Sequence, residues 1–167
     1  SSSDMLGPFS SLFGKSSDLT GRADIWVYMW QSIATHWWFG VGYVSFWLGV
    51  DGPSQFIVDA LRWNVPNAHN GYLEILNELG LIGFSFFVLM MLFHVRNLFI
   101  VYDIHRRQFA FHMAILLIFT ISNFSESTAL RVTTFLQLLF FFSMMMVQFI
   151  TLSGREMPAS VRSGVTV

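Results

Sequence analysis

Cysteine is absent from this chain. That one absence excludes disulfides, thiolate metal centres and cysteine nucleophiles, and it fits either redox compartment. Charge is scarce as well. Asp, Glu, Lys and Arg make up 11% of the 167 residues, against about a quarter in an average soluble domain. The net charge of −1 offers no basic field to draw nucleic acid. No HExxH motif occurs, and His36, His94, His105 and His112 show no metal-ligand spacing. A Gly-x-Ser-x-Gly elbow and a phosphate-cradling glycine loop are also missing. "GVGY" (40–43) lacks the strand-then-helix setting of a dinucleotide fingerprint.

Apolar residues fill the space. They form 54% of the chain, aromatics form 17%, phenylalanine occurs 19 times and mean hydropathy is +0.56. This composition predicts an all-α integral membrane protein. The Ser-rich start (1–20) has no apolar core, so it is no signal peptide. The chain reads as the C-terminal piece of a longer protein. Residues 1–78 are expected to form an external loop with amphipathic helices. Residues 79–152 are expected to hold three transmembrane helices, and 153–167 a cytoplasmic tail.

Within the first region, Trp26, Met29, Trp30, Ile33 and Trp37 recur at spacings of three and four. They predict an amphipathic helix over about 21–38, capped by Thr20 or Asp18. Arg22, Asp24, Gln31 and His36 bar it from hydrocarbon, and Trp37-Trp38 suits an interfacial belt. A short helix is expected near 53–62. The spans are read at 79–93, 109–124 and 133–152. Arg96, Arg106 and Arg107 are read between the first two, and Arg155 and Arg162 after the third. Arginine-rich sides face the cytoplasm, which puts the first region outside.

The segment "NAHNGYLEILNELG" (67–80) carries the densest polar set. His69 suits a general base where an apolar wall meets water, or else a residue that steadies the next helix. Asn67, Asn70, Glu74, Asn77 and Glu78 form one helix face. Tyr72, Ile75, Leu76 and Leu79 form the apolar complement. The polar face is expected to be wet or occupied by a ligand, and simple solubility near the membrane surface explains Glu74 equally well. Arg22 suits an anion clamp at a helix start, or a surface residue paired with Asp18 or Asp24. Glu126 in the turn "NFSESTALR" (123–131) is a third polar contributor. Gly80 and Gly83 are expected to let helices pack closely.

Three stretches in order, "LTGRADIW" (19–26), "FGVGYVSFW" (39–47) and "AHNGYLEILNELGLIG" (68–83), resemble the O-antigen ligase and polymerase superfamily. The combination is most similar to its exopolysaccharide-production, succinoglycan polymerase-like branch. The resemblance covers 19 to about 152 and implies that earlier spans are missing. It implies a metal-independent glycosyltransferase of the bacterial inner membrane, multi-pass, with the His69 loop periplasmic. Such an enzyme moves an oligosaccharide from undecaprenyl diphosphate to an acceptor sugar, as polymerase or ligase, without a cofactor. The implied catalytic residue is His69. Arg22 would hold the diphosphate, and Asn70 and Glu78 would contribute to substrate binding, to which the polar face read above adds Glu74. Implied partners are the lipid-linked oligosaccharide, membrane lipid, the absent N-terminal helices and chain-length regulator proteins. Three helices give little wall for a lipid substrate, so the piece alone is expected to be inactive. The alternative is a translocation or export protein that binds the same sugar without chemistry.

Overall fold

The computed structural model describes residues 21–49, 51–131 and 134–156, and the side chains of these except Arg155 and Glu156. Thr20, Asp18 and Arg162 lie outside the described residues, as does most of the expected tail. Five helices follow in order: α1 (Arg22–Thr35), α2 (Gln55–Leu61), α3 (Gly71–Ile104), α4 (Arg106–Ser122) and α5 (Phe135–Glu156). No strand occurs among the described residues. The chain divides into two compact units. One holds the residues up to Phe84 with Phe124–Ser127, the other Ser85–Asn123 with the residues from Thr128 on.

In the first unit α1 is shorter than the 21–38 expected. Its N-cap is Gly21, which supplies no side chain to the free amides. The buried face is Ile25, Met29, Ser32 and Ile33. Trp26 and Trp30 flank that face, and Trp37 lies beyond the helix end. The chain leaves the helix at His36, so the aromatic repeat overshoots it. Ile25 and Met29 join Phe46, Ile57, Val65 and Ala68 in one core, with Trp26, Tyr28, Trp47 and Leu73 packed around it. Burial of such side chains contributes about 1.5–3 kcal/mol each. The expected short helix is α2.

A backbone exchange ties this core to α3. Gly80 breaks that helix at φ 64° and ψ −171°, a conformation open to glycine alone. The break frees the bonds that Leu81 and Ile82 would otherwise make to Asn77 and Glu78. The loop after α1 takes all four groups. Leu81 N–H donates to Trp37 O at 2.8 Å and Ile82 N–H to Trp38 O at 3.3 Å. In return, Val41 and Gly42 N–H donate to Asn77 O and Glu78 O, both at 2.9 Å. The backbones touch at two glycines. A Cβ on Gly40 would overlap the Glu78 carbonyl, and one on Gly80 would overlap the Trp38 carbonyl. Gly80 thus permits close packing as expected, but of a loop rather than a helix.

The second unit has an inverted distribution. Its buried residues include His94, Asn97, His112, Asn123, Gln137, Ser143 and Thr151. On α5, Leu138, Phe142, Met145, Phe149 and Leu152 are exposed in a stripe of threes and fours. Phe86, Leu89, Phe93, Phe111, Ile118 and Ile121 are exposed as well. Water-soluble domains bury these residue types, and an outward apolar stripe of this extent fits lipid or further helices. Some of the inward polar groups pair across helices. Asn97 Nδ2 donates to Gln148 Oε1 at 2.7 Å, and His112 Nδ1 lies 2.9 Å from Ser143 Oγ. Phe119 stacks on Phe140 with ring centroids 4.1 Å apart. Asn123 closes α4: its Nδ2 donates to Phe119 O, and its Oδ1 accepts from Thr128 and Ala129 N–H.

Two helices, Gly71–Ile104 and Phe135–Gly154, are long and apolar enough to cross a membrane. α4, with 17 residues, is shorter than the roughly 20 that a span takes. Arg96 lies inside α3 rather than between helices, its guanidinium 5.8 Å from the Phe93 ring centroid. Only His105 separates α3 from α4, so Arg106 and Arg107 open α4.

Gly49, at φ 81°, has no described atom within 4 Å of an added Cβ. Gly49→Ala should therefore meet backbone strain alone, about 1–3 kcal/mol. Gly80→Ala meets strain and backbone overlap, and should lower the midpoint of thermal unfolding in detergent well beyond Gly49→Ala. Equal shifts for the two would refute the exchange as a stabilising contact.

Candidate functional site

The site is built where α3 begins. Asn70 caps that helix, its Oδ1 accepting from Tyr72 and Leu73 N–H, each at 3.1 Å. Two residues before His69, Asn67 Oδ1 accepts His69 N–H at 2.9 Å, an Asx turn. Between these two asparagines His69 takes a left-handed backbone, φ 51°. Such a conformation is uncommon for a residue with a Cβ.

The neighbouring Ala68 is fully buried and held from both sides. Trp26 Nε1–H donates to its carbonyl at 2.8 Å, and its own N–H donates to Glu74 Oε1 at 2.7 Å. Glu74 also accepts from Trp47 Nε1–H at 2.9 Å and from Ser127 Oγ at 3.3 Å. Ser127 Oγ in turn accepts Asn70 N–H at 3.2 Å. One carboxylate thus gathers the His69 loop, the Trp47 segment and the 124–127 turn.

That arrangement overturns the wet helix face. Glu74 is 2% exposed, Glu78 4%, and Asn77 is fully buried. Glu78 Oε2 accepts Val44 N–H at 3.1 Å. These carboxylates face inward because loop amides and an indole need acceptors there, and a buried donor left unmet costs about 1–3 kcal/mol. Glu74 and Glu78 carboxylate oxygens accept from protein donors, and Asn70 Oδ1 caps the helix, so each has at least one polar atom engaged within the fold. The Asn77 side chain meets no partner at either Oδ1 or Nδ2.

His69 differs. Its side chain is 29% exposed, and its Nδ1 has no hydrogen-bond partner. The nearest opposite charge is Glu126 Oε2 at 3.9 Å, on a side chain 58% exposed. Arg22 is half-buried at the first turn of α1. It stands four residues before Trp26, on the same helix face, and Trp26 holds Ala68. The Ser127 and Trp47 contributions were not visible in the sequence. Trp26 was read there only as part of an apolar stripe, although its indole N–H is the polar end that a buried tryptophan pairs.

Among the described residues no group of three or more His, Asp or Glu is placed to hold a metal ion. What the arrangement brings together is an imidazole with a carboxylate 3.9 Å from its Nδ1, on a loop that Trp26 of the Arg22-bearing helix bonds through Ala68.

A family model described as O-antigen ligase matches residues 2–88, just over half of the chain. That range contains Arg22, the Gly40–Gly80 contact and His69. No curated protein and no solved structure matches the chain.

Removing the gathering carboxylate should be costly. Glu74→Ala leaves Trp47 Nε1–H and Ala68 N–H without their acceptor, and should destabilise the protein by about 3 kcal/mol. Glu74→Gln keeps one acceptor oxygen and should cost less than half of that. Thermal unfolding in detergent reads both, and a Glu74→Ala protein as stable as the parent would contradict the framework role.

Proposed function

Since the chain belongs to the O-antigen ligase family, and is a membrane protein of polysaccharide biosynthesis, we propose that it carries the transfer site of a membrane glycosyltransferase. In this reading an oligosaccharide leaves undecaprenyl diphosphate for the hydroxyl of an acceptor sugar, as in chain polymerisation or ligation. The observation that carries the reading is His69: an imidazole with an unpartnered Nδ1, on a strained backbone clamped by Asn67, Ala68 and Asn70. A fold gains no stability from holding a ring in that way, and strained backbone gathers where function requires it.

The chemistry follows from the groups at hand. Glu126 favours the tautomer with its proton on Nδ1, which leaves Nε2 as the base. The acceptor hydroxyl attacks the anomeric carbon as its proton passes to Nε2. The new C–O bond forms while the bond to the diphosphate breaks, and that electron pair leaves with the diphosphate. Arg22 offsets the charge growing on the leaving group, an interaction stronger in the transition state than before it. A single displacement inverts the anomeric configuration. The imidazolium then releases its proton to water. No step calls for a metal or a second cofactor.

Undecaprenyl diphosphate has a greasy tail and a charged head. A site at the end of an apolar helix meets both, and α3 runs from Asn70 into its apolar stretch. Three spans, a periplasmic site in the bacterial inner membrane, missing N-terminal helices and chain-length regulator partners belong to the same proposal.

In the intact protein, reconstituted with lipid-linked repeat units, His69→Ala should lower turnover by about 10²–10⁴-fold. Glu126→Gln should lower it about tenfold, and Arg22→Lys should fall between them because the fork geometry is lost. Chain extension by a folded His69→Ala protein at the parental rate would refute the transferase reading. Binding of the lipid-linked sugar by the parent with no transfer at all would favour a translocation protein instead.

A further inference from the structure

A concave surface lies in the first unit, at the end of α2. Val58, Asp59, Arg62, Trp63 and Asn64 line an open groove of about 470 Å³, within the usual size of small-ligand sites. Its lining is unusual for a surface of this composition. Asp59, Arg62, Trp63 and Asn64 are all exposed, Trp63 at 45%. Gln55 Nε2 donates to Asp59 Oδ1 at 2.7 Å, which fixes the carboxylate. Arg62 ends α2 in a left-handed conformation, φ 65°, its N–H bonded to Val58 O. Glycine or asparagine is the ordinary residue at such a helix end. Here a long planar cation occupies it.

The chemistry of this lining selects among ligands. A lipid tail would meet three polar side chains. A diphosphate would meet one guanidinium with a carboxylate beside it. A sugar ring has an apolar C–H face for an indole, and neighbouring hydroxyls that pair with carboxylate, amide and guanidinium groups. The groove is also close to His69 along the chain. His69 lies five positions after Asn64, a reach of at most about 18 Å. Val65 and Ala68 between them are buried in the same core.

We propose that this groove is a saccharide-binding subsite, with Trp63 as the stacking platform and Asp59, Arg62 and Asn64 as hydroxyl partners, and that it holds the acceptor glycan. The last clause rests on the transferase reading. Binding of the sugar itself does not.

The test uses the intact protein in lipid nanodiscs. The probe is a set of free oligosaccharides of one to three repeat units, released by mild acid from the polysaccharide of the producing cell. The parent should bind them. Trp63→Ala should weaken binding about tenfold, Asp59→Asn should weaken it less, and Trp63→Phe should retain most of it. Unchanged affinity in both Trp63→Ala and Asp59→Asn overturns the subsite, even where the parent transfers sugar normally. Trp63-dependent binding in a parent that transfers nothing supports the subsite and removes the transferase reading. Brominated lipid offers an independent check. Quenching that disappears in Trp63→Phe would put the indole in the bilayer and overturn the proposal.

Discussion

A helix interrupted at Gly80 and a loop bent at Gly40 exchange two hydrogen bonds each way, and the first unit is organised around that exchange. Breaking a helix inside an apolar stretch ordinarily leaves backbone groups without partners, which is costly away from water. Here the four groups released by the break are the four that the 37–42 loop supplies partners for. The requirement is geometric before it is chemical. At this approach a Cβ on either residue would overlap the facing backbone, and the positive φ at each position asks for the same residue.

The exchange sets the positions of groups far apart in sequence. It brings Val44 N–H to Glu78. Trp47 lies a few residues further on and reaches Glu74 one helical turn earlier. Glu74 then holds Ala68, and Ala68 is also held by Trp26 on α1. A chain of single hydrogen bonds therefore runs from the broken helix to the residue next to His69. Each link is modest, about 1 kcal/mol net. Their value lies in order: together they fix the backbone on which His69 is carried.

How much of this the sequence disclosed depends on the physics of each part. Helix α2 and the core of α3 announce themselves by turn residues and by apolar length. Helix α1 is legible as a helix, but its buried face is displaced from the aromatic repeat. Trp26 and Trp30 are amphipathic, and tryptophan counts as apolar in any periodicity argument while spending its N–H on Ala68. The inward turn of Glu74 and Glu78 is hidden for the converse reason. Carboxylates one turn apart suggest a wetted face, and only the tertiary structure reveals the donors that face them. His69 stood out because it sits between asparagines, and those asparagines are what shape its backbone. Arg96 looked like a loop residue because charge usually ends an apolar run, whereas a long side chain can lie along an apolar face with its charge over a ring.

The two units treat polarity by one rule with opposite surroundings. In the second unit amides, imidazoles and hydroxyls turn inward and apolar side chains turn out, as a lipid environment requires. In the first unit the inward polar groups include two carboxylates, Glu74 and Glu78, a costlier choice, and both accept hydrogen bonds from the protein. Glu74 and Glu78 are thereby committed. Asn70 spends its side-chain oxygen on the helix start. What is left uncommitted around this helix entrance is His69, half-open and unpartnered at Nδ1, with Glu126 at ion-pair distance. The carboxylates beside it are engaged by protein donors, whereas Asn77 is unpartnered but fully buried; His69 is the ionisable group at this entrance that combines an unpartnered ring nitrogen with partial exposure.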